Sequence, residues 1–587
     1  MNLFTDIREE LSVENMLKTV NKIASWERLS GSRQEREAFL YLEKKLQEYG
    51  YETRLVEGDA YIGLPVKCTF VVNGQPVKAQ THALVESAKA KGALVYCENA
   101  AEIEKKDCKG KIIITNGRAV FEIVEPAQRA GATGLVCVQD DKIRECIPSA
   151  CWGSPTNKDW DLLPVIPVAS VLREDESVAS MIEQIKSGKE LTATLITETD
   201  MSWRKIPLLI AEIKAPVNTN RFIQLTGHCD SWYYGAIDNG TSNALAAEVA
   251  RIAKLHQKEL KHNFRIVYYS GHSHGRYAGS TMYVDNFWED LHDNCVLNVN
   301  TDCAGCKGAD ELAYSIVMPE AKELAIEVVK DITGQDFIGR RCVRNGDQSF
   351  WNVGVSSAFA SFSRQKKKLL PNGKMGLEKG NTELGPGWHS PEDLTDQISP
   401  ENLLRDAKIV GEYVMTCLTS PVLPLNYEKA ADDISEQLIL WQEKAGKEFD
   451  LSSSIERVKK LKSLCKELRE AEIDNEIKND TYLKLSRYMV LVNFTHGDPY
   501  AQESAAAIDP IPSLSAIRNF NINRNKEGNK EEGAMLDPGP LSLQKHKFSK
   551  EGLSERERMA TILELTRSRN FINYNLLQAI RLIESVL

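Results

Sequence analysis

The chain has 587 residues, of which 42% are hydrophobic and 27% are charged, and its formal net charge is −10 at pH 7. This length exceeds what a single hydrophobic core organises, so we expect two to four domains, and the acidic balance argues against a general nucleic-acid binder. No apolar run approaches the roughly 20 residues of a transmembrane helix and the first residues lack the pattern of a secretory signal, so we also expect no membrane partner.

The first clear element is a helix followed by a strand within residues 29–55. Ser32 and Glu35 have the spacing of a capping box, and apolar residues then recur on one helical face. Gly50 supplies a stop signal before the strand. The segment therefore predicts an amphipathic helix that packs one face against a core.

The pattern of predicted elements changes between residues 61 and 205, where short β-rich runs are separated by turns. Strands and helices alternate again from residue 206 to about residue 425, which is typical of helices packed on a largely parallel sheet. We therefore predict an α/β fold in which residues 1–60 and 206–425 form a mostly parallel mixed sheet flanked by helices. Residues 61–205 would form an inserted β-rich domain.

Beyond residue 425 the pattern becomes helical, with apolar residues at three- and four-residue spacing. We predict a helical domain over residues 426–587, interrupted by a long polar loop at residues 521–550. A basic stretch at residues 364–374, "RQKKKLLPNGK", stands out from the acidic chain. It is either a solvated loop or the border of a site for anionic substrates.

Three predicted strands end in side chains that bind metals. "RFIQLTGH" ends at His228 with Asp230 just beyond, "FRIVYYSGH" leads into His272 and His274, and "CVLNVNTD" ends at Asp302. In open α/β sheets, ligands bind beyond the carboxyl ends of the strands, where the loops converge. We therefore expect these side chains to meet in one site.

Two further residues join this set by their pattern, Asp238 in "GAIDNGTSN" and His389 in "GPGWHSPEDL". Each one alone has a simpler interpretation, a helix cap for Asp238 and a turn residue for His389. Among all the residues named so far, three imidazoles together with two carboxylates would make up the ligand set of a divalent transition-metal site with open coordination positions.

The order of these motifs resembles the M28 family of zinc-dependent amino- and carboxypeptidases, whose fold is of the phosphorylase/hydrolase-like type. The pieces that carry the resemblance are "GHCDSW", "AIDNGTSN", "SGHSHGRYAGS", "NVNTDCAG" and "GWHSPEDL". The inserted domain resembles a protease-associated domain through "CKGKIIITNG" and "AQRAGATGLVCV". The C-terminal helices resemble the dimerisation domain of the glutamate carboxypeptidase and transferrin receptor group, which implies a homodimer. The alternative is that these helices cover the catalytic domain of a monomer.

The resemblance implies a role for each metal ligand. His228 and Asp302 would bind one metal, Asp238 would bridge two metals, and His274 and His389 would bind the second. The cofactor would be one or two divalent transition metals per chain, with zinc as the first choice and iron, cobalt, nickel or manganese as alternatives.

Three other residues would support the metals or line the site. Asp230 would orient His228 and fix its tautomer. The stretch "GDQSFWNVGV" resembles the family's substrate-side wall, which makes Asp347 and Phe350 candidates for positions beside the site.

The chain departs from the family where two consecutive glutamates are usual. Counting back from the shared "AGS" ending places Ser273 at the general-base glutamate and His274 at the glutamate that binds the second metal. An imidazole is a suitable replacement for a carboxylate ligand, but a hydroxyl cannot accept a proton near neutral pH. Either His272 supplies a base, or the chemistry differs from peptide hydrolysis, or catalysis has been lost.

We expect a metallohydrolase that cleaves an amide bond in a small peptide or an N-acyl amino acid, with His272, Ser273 and Asp230 as catalytic residues. The alternatives are a metal enzyme of the same fold with other chemistry, using His272 and His274, and a non-catalytic receptor-like scaffold. A pure scaffold would have no use for five metal ligands. Thirteen scattered cysteines without a zinc-ribbon pattern indicate reduced thiols, and therefore a cytoplasmic protein.

Overall fold

A computed structural model describes residues 3–371, 373–505, 508–521 and 553–587 of the chain. The α-helices of these residues are numbered in chain order: α1 (Leu3–Glu10), α2 (Val13–Ile23), α3 (Arg33–Glu48), α4 (Ala100–Ile103), α5 (Phe121–Arg129), α6 (Glu176–Lys186), α7 (Ser242–Leu255), α8 (His272–Gly275), α9 (Ala278–Asn286), α10 (Trp288–Asn294), α11 (Lys322–Thr333), α12 (Pro400–Thr419), α13 (Tyr427–Ala445), α14 (Ser452–Glu470), α15 (Asn475–Phe494) and α16 (Glu555–Glu584). The strands are β1 (Glu52–Val72), β2 (Gln75–Val77), β3 (Gln80–Thr81), β4 (Ala88–Cys97), β5 (Ile112–Asn116), β6 (Gly134–Gln139), β7 (Val168–Leu172), β8 (Thr192–Ile213), β9 (Phe222–His228), β10 (Asn263–Tyr269), β11 (Cys295–Asn300), β12 (Ser356–Ala358), β13 (Lys368–Leu369) and β14 (Met375–Gly376).

Twelve of the strands in the described part of the chain form one mixed sheet. Its order is β12-β11-β9-β10-β8-β4-β5-β6-β7-β3, with β1 paired to β8 and β2 paired to β1. Strands β9 to β12 pair in parallel with one another, as the predicted alternation of strands and helices requires. The predicted mixed α/β sheet flanked by helices is therefore confirmed.

Side chains of the central strands alternate between two cores, one on each face of the sheet. On β10, Phe264, Ile266 and Tyr268 pack into the core that holds α2, α3, α7 and α12. Val267 and Tyr269 point into the opposite core, which is covered by α9 and α10. This two-residue period is what a strand buried on both faces produces, and it leaves the strand ends as the place for polar groups.

Strands β1 and β8 connect the two halves of the sheet. They have 21 and 22 residues and pair antiparallel from Glu52–Glu212 to Val72–Ala193. One end of β8 pairs with β10, and the other end pairs with β4. The predicted domain boundaries at residues 60/61 and 205/206 therefore fall inside two continuous strands, and the division into domains stays a prediction.

The local signals near the start of the chain correspond to the observed helix. Helix α3 begins after Ser32, whose side chain accepts a hydrogen bond from the Glu35 N–H at 3.1 Å. Gly50 follows the helix with φ of +84°, a conformation that favours glycine. The predicted capped helix and its glycine stop are confirmed.

The C-terminal region is helical, as predicted, and is built from α13 to α16. Buried apolar residues of these helices, such as Leu438, Leu461 and Leu565, belong to the same core as α7 and α12. This packing is the arrangement that the monomer alternative requires, and the homodimer stays a prediction. The predicted loop at residues 521–550 lies almost entirely outside the described residues. Within the described ranges, no helix combines the length and apolar character needed to cross a membrane.

Candidate metal centre

The predicted strand-end residues meet at one edge of the sheet. Strand β9 ends at His228, β10 leads into His272, and β11 leads to Asp302; the three strands are parallel neighbours. Ligand atoms of these three residues lie within 4.8 Å of one another. The expectation that the strand ends converge is therefore met by the structure.

Asp238 lies between two histidines and faces one with each of its oxygens. Its Oδ1 is 3.1 Å from Nε2 of His228, and its Oδ2 is 3.2 Å from Nε2 of His389. Asp302 approaches the same His228 nitrogen, with its Oδ1 at 3.6 Å. One carboxylate that faces two imidazoles from its two oxygens has the geometry of a ligand that bridges two cations.

Unpaired buried atoms show that this cluster suits a cation. His228 donates from Nδ1 to the carbonyl oxygen of Asp230 at 2.9 Å, so in the neutral ring its Nε2 carries a lone pair. Among the described residues, this Nε2 and the Oδ1 of Asp302 are buried without a hydrogen-bond partner. Buried acceptors are seldom left unpaired, and nitrogen and oxygen donors together fit a divalent transition metal.

Charges in the cluster are strongly coupled. Burial opposes a positive charge on His228, but the carboxylates of Asp230, Asp238 and Asp302 outweigh it and raise the His228 pKa well above its usual value. Burial likewise opposes ionisation of Asp238, but contact with His228 and His389 holds its pKa well below normal. A metal that binds between these groups therefore requires His228 in its neutral form.

The loop that carries His389 is braced by the segment between β6 and β7. His389 donates from Nδ1 to the carbonyl of Glu145 at 2.7 Å and accepts the Glu145 N–H at its own carbonyl at 2.8 Å. Arg144 donates to the carbonyls of Pro386 and Trp388 at 3.0 and 2.7 Å. Sequence reasoning missed both residues because they lie about 240 positions from His389 and carry no local motif.

Asp393 fixes the loop of Asp238 and was also missed. Its carboxylate accepts the N–H of Ile237 at 2.8 Å and the N–H of Asp238 at 3.0 Å. Burial, together with the charge of Asp238, raises the pKa of Asp393 to about 7. Asp393 lies in the same "HSPEDL" stretch as His389, so this motif could have identified it. From the sequence, only the histidine of this motif is predicted to be a site residue.

Asp230 holds the turn after β10 through backbone groups. Its carboxylate accepts the N–H of His272 at 3.2 Å, the N–H of Ser273 at 2.8 Å and the hydroxyl of Ser30 at 2.7 Å. Burial opposes ionisation, but contact with His228 lowers the pKa of Asp230. The predicted orienting contact with His228 is present through the Asp230 carbonyl, while the carboxylate oxygen is 3.6 Å away.

His272 forms a buried pair with Asp347. Its Nδ1 donates to Oδ2 of Asp347 at 2.8 Å, and its ring stacks on the ring of His228 with 3.6 Å between centroids. The hydrogen bond places the proton on Nδ1 and leaves Nε2 as an acceptor. Asp347 therefore lies beside the site, as the sequence indicated, whereas Phe350 lies in the hydrophobic core next to Tyr283.

His274 is held on the other side of the turn. Its Nδ1 is 2.9 Å from the Ser30 hydroxyl, and its ring lies 4.4 Å from the ring of Trp232, which is also 5.8 Å from His389. Burial lowers the pKa of His274 to about 4, so the imidazole is neutral near neutral pH. Among the described residues, the groups of three ligand atoms within 4.8 Å include His272 and not His274.

A cleft of about 440 Å³ opens beside His274. Glu145, Trp232 and Tyr233 contribute polar and aromatic groups to its wall, and Leu64 contributes apolar surface. The cleft lies between the inserted segment and the strand-end cluster.

A stack of aromatic rings supports His272 from behind. The edge of the His272 ring meets Tyr277 at 4.8 Å, and Tyr277 stacks on Trp152 at 4.1 Å. The guanidinium of Arg344 lies 3.8 Å over Trp152 and donates to the carbonyl of Glu503 at 2.9 Å. Burial lowers the pKa of Arg344 to about 9. Segments from three distant parts of the chain therefore converge behind His272.

The fold and the strand-end cluster can now be compared with those of known proteins. The sequence model of Peptidase family M28 matches residues 209–414. The match agrees with the resemblance that the motifs of this region indicated.

Curated relatives carry peptidase names at low sequence identity. The chain is 24% identical over 250 residues to a probable glutamate carboxypeptidase, VP8, of Zea mays; the match covers 41% of this chain and 34% of the maize protein. It is 25% identical over 348 residues to aminopeptidase YwaD of Bacillus subtilis (strain 168), covering 57% of this chain and 69% of that protein. Matches to the first three curated relatives span less than two thirds of their lengths.

A solved structure supports the fold. The aminopeptidase from Aneurinibacillus sp. strain AM-1 superposes with a TM-score of 0.55 at 20% identity, over 71% of this chain and 96% of that one. At this identity the similarity establishes the architecture of the chain and leaves its chemistry to the residues of the site.

Proposed function

We propose that the chain is a metal-dependent hydrolase that cleaves an amide bond in a small peptide or an N-acyl amino acid. The observation that carries this proposal is Asp238, which faces His228 with one oxygen and His389 with the other. The buried, unpaired Nε2 of His228 supports it further, because a non-catalytic scaffold has no reason to retain such an atom. The peptidase names of the relatives are consistent with amide substrates.

We assign residues to two cation positions, as the resemblance to the M28 family implies. His228 and Asp302 would hold one cation, His389 and His274 the other, and Asp238 would bridge them, with zinc as the first choice. When bound, such a metal polarises a carbonyl oxygen and lowers the pKa of a water molecule. The Asp230 carbonyl and the Asp393 carboxylate hold His228 and the Asp238 loop in position.

His272 is the proposed general base. Ser273 cannot accept a proton near neutral pH, whereas His272 has a free Nε2 and a carboxylate partner that fixes its tautomer. In this proposal Nε2 of His272 takes the proton of the attacking water and returns it to the leaving nitrogen. Asp347 stabilises the imidazolium that forms between the two steps.

Three further assignments are part of the proposal. Residues 61–205 form a module of the protease-associated type, supported by the motifs "CKGKIIITNG" and "AQRAGATGLVCV" and by a core of their own. Residues beyond about 425 join two copies in a homodimer. The protein acts in the cytoplasm, which rests on the thirteen unpaired cysteines.

Metal analysis combined with a substrate panel tests this function. The full chain should hold one to two equivalents of a divalent transition metal and hydrolyse at least one class among aminoacyl amides, dipeptides and N-acyl amino acids. A chelator should abolish hydrolysis, and added zinc, cobalt or manganese should restore it. Protein that binds no metal would contradict the proposal, and protein that binds metal without hydrolysing any class would favour other chemistry.

Light scattering at micromolar concentration tests the proposed dimer. A monomer mass would contradict it.

A further inference from the structure

A small hairpin projects from the loop between β12 and α12. Strands β13 and β14 form a separate two-stranded sheet. Leu369 and Met375 are direct cross-strand partners, and 72% and 64% of their surfaces are exposed. Cross-strand partners place their side chains on the same face, so the two form one exposed apolar patch.

Basic residues surround this patch. Residues 364–379 contain six basic residues and one acidic residue, although the chain as a whole has a net charge of −10. Lys366, Lys367 and Lys368 are all exposed. Lys367 and Lys368 form ion pairs with Glu383 at 3.6 Å and Glu378 at 3.1 Å, but all four side chains are exposed to solvent. Exposed ion pairs of this kind are weak, so the lysines can readily exchange their carboxylate partners for other anions.

We propose that this hairpin docks on an anionic lipid surface. Two adjacent long apolar side chains are far too small a patch for a stable protein interface, which buries at least about 1,000 Å². They are sufficient for shallow insertion at a bilayer interface when lysines beside them meet acidic headgroups. The opposite charges of the hairpin and of the chain orient the molecule with the hairpin toward such a surface.

This inference goes beyond the proposed function and departs from the expectation of no membrane partner. The proposed lipid contact is independent of catalysis, because neither the apolar pair nor the lysines belong to the metal cluster. The sequence predicts that the basic stretch at residues 364–374 is either a solvated loop or the border of a substrate site. The proposal gives it a different role, as a contact for an anionic lipid surface.

Vesicle sedimentation with the full chain tests the proposal. The protein should bind vesicles of phosphatidylcholine mixed with phosphatidylserine, bind pure phosphatidylcholine vesicles poorly, and leave the mixed vesicles at high salt. The K366Q/K367Q variant should lower the partition coefficient by about 25-fold, because each lysine near an anionic surface contributes about fivefold. The L369Q/M375Q variant should lower it by about tenfold.

Control variants separate the hairpin from general charge. K18Q/K44Q removes two exposed lysines of α2 and α3, and Val165→Gln removes an exposed apolar side chain; both should bind as the unmodified chain does. Circular dichroism should show unchanged folding for every variant. Absence of binding to the mixed vesicles, or equal losses in the hairpin and control variants, would overturn the proposal. Binding to immobilised polyglutamate without binding to vesicles would assign the hairpin to an acidic protein instead.

Discussion

The two sides of the candidate site hold their side chains in different ways. On the strand-end side, His228 and Asp302 turn unpaired buried atoms toward Asp238. On the side of the turn after β10, His272 is bonded to Asp347 and His274 lies against the Ser30 hydroxyl. The first arrangement is suited to a cation, while the second is suited to neutral imidazoles that carry or accept protons.

The pKa values follow the same division. Despite burial, carboxylates raise the pKa of His228, whereas burial lowers the pKa of His274 to about 4. The pKa values of two histidines with similar burial thus shift in opposite directions, because carboxylates contact His228 directly and only partly offset the effect of burial at His274. If Ser273 and His274 stand where the M28 family has two glutamates, as the sequence resemblance implies, this side of the site carries less negative charge than the family pattern would give it.

Replacing Asp238 by Ala should have the largest effect, because it removes the carboxylate that faces both His228 and His389. We expect loss of metal at both positions and a fall in kcat/KM of about 10⁴-fold or more, since a bound metal contributes several kcal/mol to transition-state stabilisation. Elemental analysis after dialysis and steady-state kinetics measure both quantities. Asp336→Asn, at an exposed aspartate, is the matched control. Full metal content in Asp238→Ala would show that the residue is not a bridge.

The next largest effect should come from replacing residues on the side of the turn after β10, where His272 is the proposed general base. His272→Ala should lower kcat by about 10²–10⁴-fold and leave metal content unchanged, because a base acts in the transition state while a ligand holds metal in the ground state as well. Asp347→Asn should lower kcat less than His272→Ala, since the amide keeps a hydrogen bond but loses the charge that stabilises imidazolium. Loss of metal in His272→Ala would instead make His272 a ligand.

The positions of the strand-end ligands were predictable because they depend on local patterns. Continuous apolar runs located β9, β10 and β11, and parallel pairing then brings their carboxyl ends together. The direction of His272 was not predictable. The two-residue alternation stops at Tyr269, and Gly271 then adopts φ of +71° before the turn. No sequence pattern specifies where a side chain points after such a step.

The residues that brace the site could not be found from the sequence for a different reason. Arg144 and Glu145 reach His389 from the inserted segment, and Ser30 reaches Asp230 and His274 from a loop before α3. These contacts join loops that lie about 200 positions or more apart. Their formation depends on the packing of whole segments, in particular on the continuous ribbon of β1 and β8, which the sequence presented as separate short runs.

A pair of histidine variants sharpens the comparison at the second cation position. If both His274 and His389 are ligands, His274→Ala and His389→Ala should each weaken the second equivalent of metal and lower activity with it. The loss of affinity should be at least about 10- to 100-fold, the range found even for residues that only orient a ligand. Metal titration monitored by calorimetry gives the stoichiometry and the affinity. Retention of the second equivalent in His274→Ala alone would restrict the role of His274 to the wall of the cleft.

The smallest effect is expected for Ser273→Ala, although the sequence resemblance places Ser273 at the position of the family's general base. In the structure it is the Ser273 backbone N–H that binds Asp230, at 2.8 Å, and alanine keeps that group. The hydroxyl would at most orient a water or a substrate, so kcat should fall by less than about tenfold, well below the range for loss of a general base. Steady-state kinetics beside His272→Ala in the same assay measures the difference. Should Ser273→Ala abolish hydrolysis while His272→Ala retains it, the proton would have to be handled around the serine, and the Asp347–His272 pair would serve only to hold the turn against His228.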